Sequence, residues 1–404
     1  MNDVYTIAKA QRGEKLPPML LTHVLKAACP RCQTIGRYGR VHVVRDVLLR
    51  GCNACGLKEH VPLPSLRKRV IYLDQHFLSH AFRQGAQPFV DAAKRLESLA
   101  GKQLIVSPWS EVHEVESHIW RDTRATALWE FIKQTARGHQ FRTAEHIKRC
   151  QLGRLMESFL KEQPPAVSVE RSDALDRDVD SWDNYLWVDV GRFAADPDQV
   201  RASKEKSAAS LATAMDTWRR QPQSFEADVL QEATGYARGL WQVYWDWVKA
   251  MATGDIDGAL HSPDDALVAQ QIMAERSRDE APEARIRRAA GFLGSEHFRA
   301  APYVDICSRL FAVLRKVARA GRGSGGLAGL PYDFQAVTLF GPYTDAIFVD
   351  RELRRWLLDP EADLVVRYGL RVFSADVWDE FHAYLDEIES DAVELQPLLG
   401  TVYG

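Results

Sequence analysis

The sequence lacks an apolar run that could cross a membrane. Such a helix needs about 20 apolar residues, and no stretch of the 404 residues approaches that length. The opening residues, MNDVYTIAKAQRGEK, also lack the apolar core of a secretory signal peptide. We therefore expect a cytoplasmic protein without a membrane partner. The 46% share of hydrophobic residues is typical of a globular chain, long enough for two or three domains.

A strong overall charge is also absent, because the formal net charge is only −3. The charge is unevenly distributed, since residues 1–73 contain 13 Lys and Arg but only 4 Asp and Glu. A basic segment is typical of a module that binds a polyanion, although a basic surface without a ligand has the same composition. If the ligand is a nucleic acid, we expect Arg37, Arg40 and Arg45 to contact its phosphates.

Cysteine is scarce, and four of the six cysteines form two C-x-x-C pairs, CPRC and CNAC, with 19 residues between them. The four residues are Cys29, Cys32, Cys52 and Cys55. This spacing predicts one tetrahedral zinc site, with backbone amides near Gly56 stabilising the thiolates. The intervening YGRVHVVRDVLLRG predicts a strand pair, so residues 1–66 should form a zinc-ribbon module that folds around metal. Two disulfides are the alternative, which a cytoplasmic location disfavours. We interpret Cys150 and Cys307 as buried apolar residues.

Buried-strand patterns occur in two separated parts of the remaining chain, and helical patterns follow them. The predicted strands lie near residues 70–73, 104–106, 346–349 and 370–374. This order predicts an α/β fold with a parallel sheet, built from residues 67–120 and 330–404. Residues 121–329 have helical spacing and no visible tandem repeat, so we interpret them as a large helical insertion.

Two features of the helical insertion and its end have alternative interpretations. The tryptophans of GLWQVYWDWVKAM indicate packing between helices rather than a platform for stacking bases. The GRGSGG stretch near residue 321 formally matches the dinucleotide-binding pattern, but it follows a helix instead of a strand. We therefore expect a flexible loop there and no dinucleotide site.

Carboxylates adjoin three of the four predicted strands. Asp74 follows the first strand, Glu114 lies on the helix after the second, and Asp345 and Asp350 bound the third. Each has an ordinary alternative, because aspartates cap helices and helical glutamates are usually solvated. Several acids at one sheet edge would repel each other unless cations neutralise them. Oxygen ligands of this kind favour Mg²⁺ or Mn²⁺.

Three short motifs, VIYLDQHFLS, SPWSEVHEVE and PYTDAIFVDRE, resemble in order the acidic motifs of PIN-like nucleases. That family comprises metal-dependent ribonucleases with a parallel sheet sandwiched by helices. The resemblance implies that four acids hold the catalytic metal ions, namely Asp74, Glu114, Asp345 and Asp350. Glu111 or Glu116 could take the place of Glu114, and Asp333 is a possible further acid. The sequence departs from the family at His76, where many relatives carry Asn.

The resemblance implies a metal-dependent endoribonuclease in which two divalent ions support hydrolysis of a phosphodiester, without a side-chain nucleophile. The basic zinc module would then hold RNA by its phosphates. A regulated toxin or defence effector, held idle by the helical insertion or a protein regulator, is one form of this hypothesis. The alternative is a non-catalytic adaptor that binds nucleic acid or protein on a degenerate nuclease fold.

Overall fold

The computed structural model describes residues 18–119, 123–183, 196–260, 265–274, 280–321, 327–391 and 395–403. Two four-stranded sheets are present in these ranges, one antiparallel and one parallel. Most of the GRGSGG stretch, residues 322–326, lies outside them. Within these ranges no helix has the length and apolar composition needed to cross a membrane.

The antiparallel sheet contains the four paired cysteines and has the strand order β1-β2-β3-β4. Its strands are β1 (His23–Val24), β2 (Tyr38–Val44), β3 (Val47–Cys52) and β4 (Lys58–Pro62). The predicted strand pair between the cysteines is β2 and β3, which are joined by a two-residue turn at Arg45 and Asp46. Arg45 adopts a left-handed backbone conformation there (φ 53°), as hairpin turns of this length require.

The second sheet is entirely parallel and has the order β6-β5-β7-β8. Its strands are β5 (Arg69–Leu73), β6 (Ile105–Val106), β7 (Ala346–Phe348) and β8 (Arg371–Phe373). The predicted α/β class and parallel sheet are therefore confirmed. From β5 the chain passes to β6 on one side and then returns to β7 on the other side. This reversal creates a crevice at the carboxyl ends of β5 and β7, where open parallel sheets bind their ligands.

Helices cover both faces of the parallel sheet. The helices after β5 are α1 (Gln75–Arg83) and α2 (Gln87–Gly101), and those after β6 begin with α3 (Glu111–His118) and α4 (Thr123–Ala136). Helix α14 (Leu330–Phe340) precedes β7, α15 (Arg351–Leu357) and α16 (Leu364–Tyr368) lie between β7 and β8, and α17 (Trp378–Ser390) and α18 (Gln396–Tyr403) follow β8. Alternate residues of β5 enter different cores. Ile71 packs with α1, α2, α4 and α17, whereas Val70 and Tyr72 pack with the helical region.

The helical region packs against one face of the parallel sheet and shares its hydrophobic core. Its remaining helices are α5 (Ala144–Leu160), α6 (Arg171–Ala174), α7 (Pro197–Trp218), α8 (Phe225–Thr253), α9 (Ile256–Leu260), α10 (Asp265–Ala274), α11 (Pro282–Leu293), α12 (Glu296–Arg299) and α13 (Pro302–Arg319). Leu240 of α8 is buried and Trp241 is half-buried against the same core, but Trp245 is 36% exposed. The helical region therefore shares a core with the sheet instead of forming a separate one.

A buried ion cluster lies at the amino end of β5. The Lys68 side chain is fully buried, and its Nζ lies 2.7 Å from Asp183 Oδ1. Asp183 also contacts His139 Nε2 at 3.1 Å. Burial lowers the pKa of Lys68 despite the adjacent carboxylate. Burial alone would raise the pKa of Asp183, but His139 and Lys68 lower it overall. The cluster attaches Asp183 and His139 to the amino end of β5.

We predict that Asp183→Asn destabilises the fold, because it leaves the Lys68 ammonium buried without its counter-charge. Removing one partner of a buried pair costs about 3–5 kcal/mol. Urea unfolding monitored by tryptophan fluorescence would measure the change. Asp216→Asn is the matched control, since Asp216 pairs with Arg219 on the surface of α7 and is 63% exposed. Equal stability of the two variants would contradict this role of Lys68 and Asp183.

Candidate metal centres

The four paired cysteines converge on one point. Sγ of Cys29 lies 3.8 Å from that of Cys55, and Sγ of Cys32 lies 3.7 Å from that of Cys52. All four sulfur atoms lie within 4.8 Å of one another. A tetrahedral zinc site with Zn–S bonds of about 2.3 Å separates its sulfur atoms by about 3.8 Å. The cysteines are therefore spaced to bind a metal such as zinc.

Two matching backbone turns hold the cysteines in this arrangement. The amide of Gln33 donates to Cys29 O, and the amide of Gly56 donates to Cys52 O, both at 2.9 Å. Gln33 and Gly56 each have a positive φ, 58° and 70°, so each turn ends in the same left-handed conformation. Hydrogen bonds with Thr34 lower the pKa of Cys32, which favours its thiolate, whereas desolvation and the three neighbouring cysteines raise the pKa of Cys55.

Asp74 lies in the crevice at the carboxyl end of β5 and is largely buried. Its Oδ1 accepts a hydrogen bond from the amide of Phe77 at 2.7 Å, so Asp74 is the N-cap of α1. Its own amide donates to Phe348 O of β7 at 3.0 Å. The alternative interpretation as a helix cap is thus correct for one oxygen, and it orients the carboxylate at the sheet edge.

Asp350 follows the neighbouring strand β7 and lies at the same edge of the sheet. It is the N-cap of α15, because its Oδ1 accepts from the amides of Glu352 and Leu353 at 2.7 and 2.9 Å. Asp74 and Asp350 therefore play the same local role, because each caps the amino terminus of a helix with one carboxylate oxygen. The sequence correctly placed both at the carboxyl end of the sheet.

Asp333 and Glu116 are the other acids that act on this crevice. Burial, followed by the charges of Glu116 and Asp350, raises the pKa of Asp333 to about 8. Burial also raises the pKa of Asp74 well above its ordinary value, and the charges of Asp333, Asp350 and Glu116 add to the shift. Asp74, Glu116, Asp333 and Asp350 thus form one electrostatically coupled group, which we call the acidic cluster. Such a cluster favours a bound proton or cation.

The acidic cluster receives one cation from the helical region. Nζ of Lys204, on α7, lies 2.7 Å from Glu116 Oε1, and both side chains are largely buried. The same ammonium lies 4.6 Å from the centre of the Tyr332 ring, next to Asp333 on α14. Its charge lowers the pKa of Asp333, against the larger effects of burial and the acids. No sequence pattern indicated Lys204.

A buried histidine positions α3 and therefore Glu116. The Ser110 amide donates to His113 Nδ1 at 3.0 Å, so the proton is on Nε2, which donates to Leu73 O at 2.8 Å. Burial lowers the pKa of His113 to about 4, so the ring stays neutral. Leu73 precedes Asp74, and this bond therefore fixes α3 against the end of β5. The sequence analysis missed His113, although S-x-x-H is a form of the capping-box pattern.

Helix α3 carries three glutamates, and the structure shows that the charge of Glu116 acts on the aspartates of the crevice. Glu116 is the residue of α3 whose charge raises the pKa of Asp74 and Asp333. Glu111 accepts hydrogen bonds from the Ala144 amide and from Gln335 Nε2, at 3.3 and 3.0 Å, so it links helices. We therefore add Glu116 to the candidate site, and the role of Glu114 stays a prediction.

Asp345 does not belong to the acidic cluster, contrary to the sequence-based assignment. It precedes β7, and its Oδ2 accepts from the Val70 amide at 2.7 Å and from Arg171 Nη2 at 2.6 Å. Val70 lies four residues before Asp74 on β5, which is roughly 13 Å along a strand. In a parallel sheet, a residue before a strand lies at the amino-terminal end of the sheet, and a residue after a strand lies at its carboxyl-terminal end. Asp345 is therefore a structural residue at the amino-terminal end of the parallel sheet.

The acids are spaced more widely than the cysteines. Over the described ranges, the cysteines form the only group of three or more such ligands whose atoms all lie within 4.8 Å. Carboxylates that share two divalent ions about 3.5–4 Å apart do not all need to be this close. His76 lies beside the cluster, where burial lowers its pKa and the charge of Asp350 opposes this effect.

The three arginines predicted to contact phosphates have different environments. Arg37 and Arg45 are exposed on the cysteine-containing sheet. Arg40 is buried, and its guanidinium donates to Thr22 Oγ1 at 3.0 Å and to Val402 O of α18 at 3.2 Å. Arg40 therefore joins the cysteine module to the rest of the protein, and we withdraw it as a phosphate contact.

Comparisons with protein families, curated proteins and solved structures give no match to this chain. Arguments about function therefore rest on the residues and geometry described above.

The raised pKa of Asp333 predicts how stability depends on pH. Between about pH 4 and pH 8 the folded protein keeps a proton on Asp333 that the unfolded chain releases. Without added divalent ions, the free energy of unfolding should therefore fall as the pH rises through this interval. Asp333→Asn, which imitates the neutral acid, should weaken this dependence, whereas Asp216→Asn should not. Chemical unfolding at several pH values would measure it, and unchanged slopes in Asp333→Asn would contradict the predicted shift.

Proposed function

We propose that the protein is a metal-dependent endoribonuclease of the PIN-like type. The observation that carries this proposal is the acidic cluster at the crevice between β5 and β7. Its four carboxylates come from the segments after β5 and β7 and from α3 and α14, and the charges of Glu116 and Asp350 raise the pKa of Asp74 and Asp333 further than burial alone does. Position supports the proposal as well, because ligand sites of open parallel sheets lie where the strand order reverses.

In this proposal the residues of the crevice would hold the metal ions and fix the geometry of the site. Bound Mg²⁺ or Mn²⁺ would activate water and stabilise the attacking and leaving oxygens of an in-line displacement. Asp74 and Asp350 are oriented by their bonds to helix amino termini, so little reorganisation is required of them. Glu116 and Asp333 lie on separate helices, and Lys204 offsets part of their charge. The hydrogen bond between His113 and Leu73 keeps α3 in place.

The cysteine module would serve as the nucleic-acid-binding part of the same protein. Four thiolates fill a tetrahedral coordination sphere, so a bound zinc ion would be structural and not catalytic. Arg37 and Arg45 are exposed on this basic module and are available to phosphates. Contacts of this kind supply affinity without reading sequence. The choice of RNA over DNA rests on the family resemblance.

Asp74→Asn should abolish cleavage while preserving the fold. Asparagine caps a helix as well as aspartate does, so the bond to the Phe77 amide can be kept while the charge is lost. Even residues that only support metal ligands affect activity by 10–100-fold, so we expect a loss of at least about 100-fold. Mn²⁺-dependent cleavage of single-stranded RNA and DNA by the full chain would measure this.

Asp345→Asn is the matched control for Asp74→Asn. Asp345 also adjoins a strand of this sheet, but at the opposite end of the strands from Asp74. The Asp345→Asn variant should therefore cleave RNA like the wild type. Equal loss of activity in the two variants would indicate a general effect on the fold and contradict the assignment. If the wild type binds RNA but does not cleave it with Mn²⁺ or Mg²⁺, the adaptor hypothesis replaces the nuclease.

The cysteine geometry predicts about one zinc ion per chain in protein purified under reducing conditions. Cys29→Ser and Cys55→Ser should each lose the ion and unfold the cysteine module, because metal and folding are coupled in such modules. Cys150→Ser should keep the ion, since Cys150 lies on α5 in another part of the protein. Elemental analysis of the three variants and the wild type would test this. A wild type without zinc would contradict the assignment.

A further inference from the structure

The two faces of the cysteine-containing sheet have different surroundings. Val43 of β2 and Leu48 of β3 are buried in a core that also contains Trp182 and Val402 of α18. Because successive side chains of a strand point to opposite faces, the neighbours of Val43 and Leu48 point away from this core. We call that side of the sheet the outer face. Its residues are His42, Val44, Val47, Leu49, His60 and Pro62.

Two histidines lie in one row across the outer face. The pairing of β2, β3 and β4 places His42 opposite Leu49, and Leu49 opposite His60. Directly opposite residues of antiparallel strands point to the same face. Since neighbouring strands lie about 4.8 Å apart, the two histidines are separated by about 10 Å. Both are exposed, and in the described part of the chain neither ring takes part in a hydrogen bond, an ion pair or a ring contact. The face thus presents two imidazole rings to a ligand.

The rest of the outer face is apolar and has clear limits. Val44 is 46% exposed, and Leu49 is half-buried between the two histidines. Toward the cysteines the outer face ends at Gly51, where Met19 Sδ lies 2.7 Å from the position that a Cβ atom would take. The glycine lets Met19 pack directly on the sheet. The open part of the face therefore extends from Met19 to the turn at Arg45.

The charge of the cysteine module favours a polyanion as the partner of this face. Residues 18–66 contain 7 Lys and Arg but only 2 Asp and Glu. One of these acids, Glu59, lies on the opposite face of the sheet, where it accepts a hydrogen bond from Tyr38. Arg45 is exposed and directly follows β2, at one end of the outer face. A single-stranded nucleic acid matches both properties, because it has phosphates and unpaired bases with flat apolar faces.

We propose that the outer face binds single-stranded nucleic acid through its bases, with one base stacked on His42 and another on His60. Leu49 would pack between the two stacked bases, and Arg45 would contact a phosphate. A duplex conceals the faces of its bases, so the outer face selects single strands. The inference rests on the proposed role of the cysteine module in nucleic-acid binding, but it requires neither the acidic cluster nor cleavage.

Fluorescence anisotropy with the zinc-loaded full chain, without Mg²⁺ or Mn²⁺, tests the proposal. Three labelled probes of about 12 nucleotides are compared. They are a single-stranded RNA, the corresponding RNA duplex and an abasic strand, which has the phosphates but lacks the bases. We expect the single-stranded RNA to bind at least about tenfold more tightly than the abasic strand, because each stacked base adds to the affinity.

Two double variants connect this preference to the histidines. His42→Ala combined with His60→Ala should weaken binding of the single-stranded RNA at least about tenfold, because two bases lose their stacking partners. The same variant should bind the abasic strand and the duplex as the wild type does. Replacing both histidines by Phe should preserve binding of the single strand, since the rings remain without their capacity for charge. His382→Ala, on α17 in another part of the protein, is the matched control.

Val44→Glu tests the outer face without altering the histidines. The added negative charge should weaken binding of the single-stranded RNA at least about threefold. Val366→Glu, at a position of α16 that is 80% exposed, is its control and should bind normally.

Two results would overturn the proposal, and they differ in what they leave standing. If neither the double alanine variant nor Val44→Glu weakens binding of the single strand, the outer face is not the binding surface, whereas the module keeps its proposed role through its arginines. If the wild type binds none of the three probes, the role of the cysteine module in nucleic-acid binding is contradicted as well.

Discussion

The parallel pairing of β5 with β7 is the contact on which the rest of the structure depends. It joins Ile71 to Ala346 and Leu73 to Phe348, across most of the length of the chain. This pairing brings Asp74 beside the backbone of Phe348 and places Asp350 at the same edge of the sheet. The helical region leaves the sheet after β6 and returns at β7, so it must pack over one face of the sheet. Lys204 and Asp333 reach the crevice by this path. The closure of a long loop is entropically costly, and the shared core of sheet and helices offsets that cost.

The acidic cluster opposes the stability of the fold, although the proposed function requires it. Desolvation and mutual repulsion raise the pKa of Asp74 and Asp333, which means that the ionised cluster opposes the folded state. Other bonds hold it together. Asp74 and Asp350 are fixed by helix amino termini, Glu116 is paired with Lys204, and α3 is fixed by the hydrogen bond from His113. Capping and metal binding are thus compatible roles for Asp74, because the cap uses one carboxylate oxygen. A helix cap at a strand end is therefore no argument against a site there.

The sequence predicted those parts of the fold and site that depend on local pattern. The cysteine pairs, the strands and the two strand-end aspartates follow from spacing and hydrophobic runs, and the structure places them as expected. The end of the sheet at which Asp345 lies was misjudged. An acid before a parallel strand lies at the amino-terminal end of the sheet, whereas an acid after the strand lies at the carboxyl-terminal end. Arg40 was misjudged because its burial depends on α18, far along the chain. Lys204 and Asp333 could not be assigned with certainty from sequence, because long-range packing of α7 and α14 decides which of their side chains reach the crevice.

Helix α14 connects two regions that sequence alone would treat separately. Asp333 belongs to the acidic cluster, while Phe334 and Thr338 line a cavity of about 520 Å³ that is formed by α5, α8, α10, α13 and α14. A second link passes through Glu111, which accepts hydrogen bonds from Gln335 and from Ala144, both of them cavity residues. Glu111 lies on α3, the helix that carries Glu116. Two of the four acids are therefore attached to helices that also form or contact the wall of this cavity. Because packed interiors transmit small displacements rather than absorbing them, the helical region is better understood as the support of the acidic cluster than as an addition to a complete sheet.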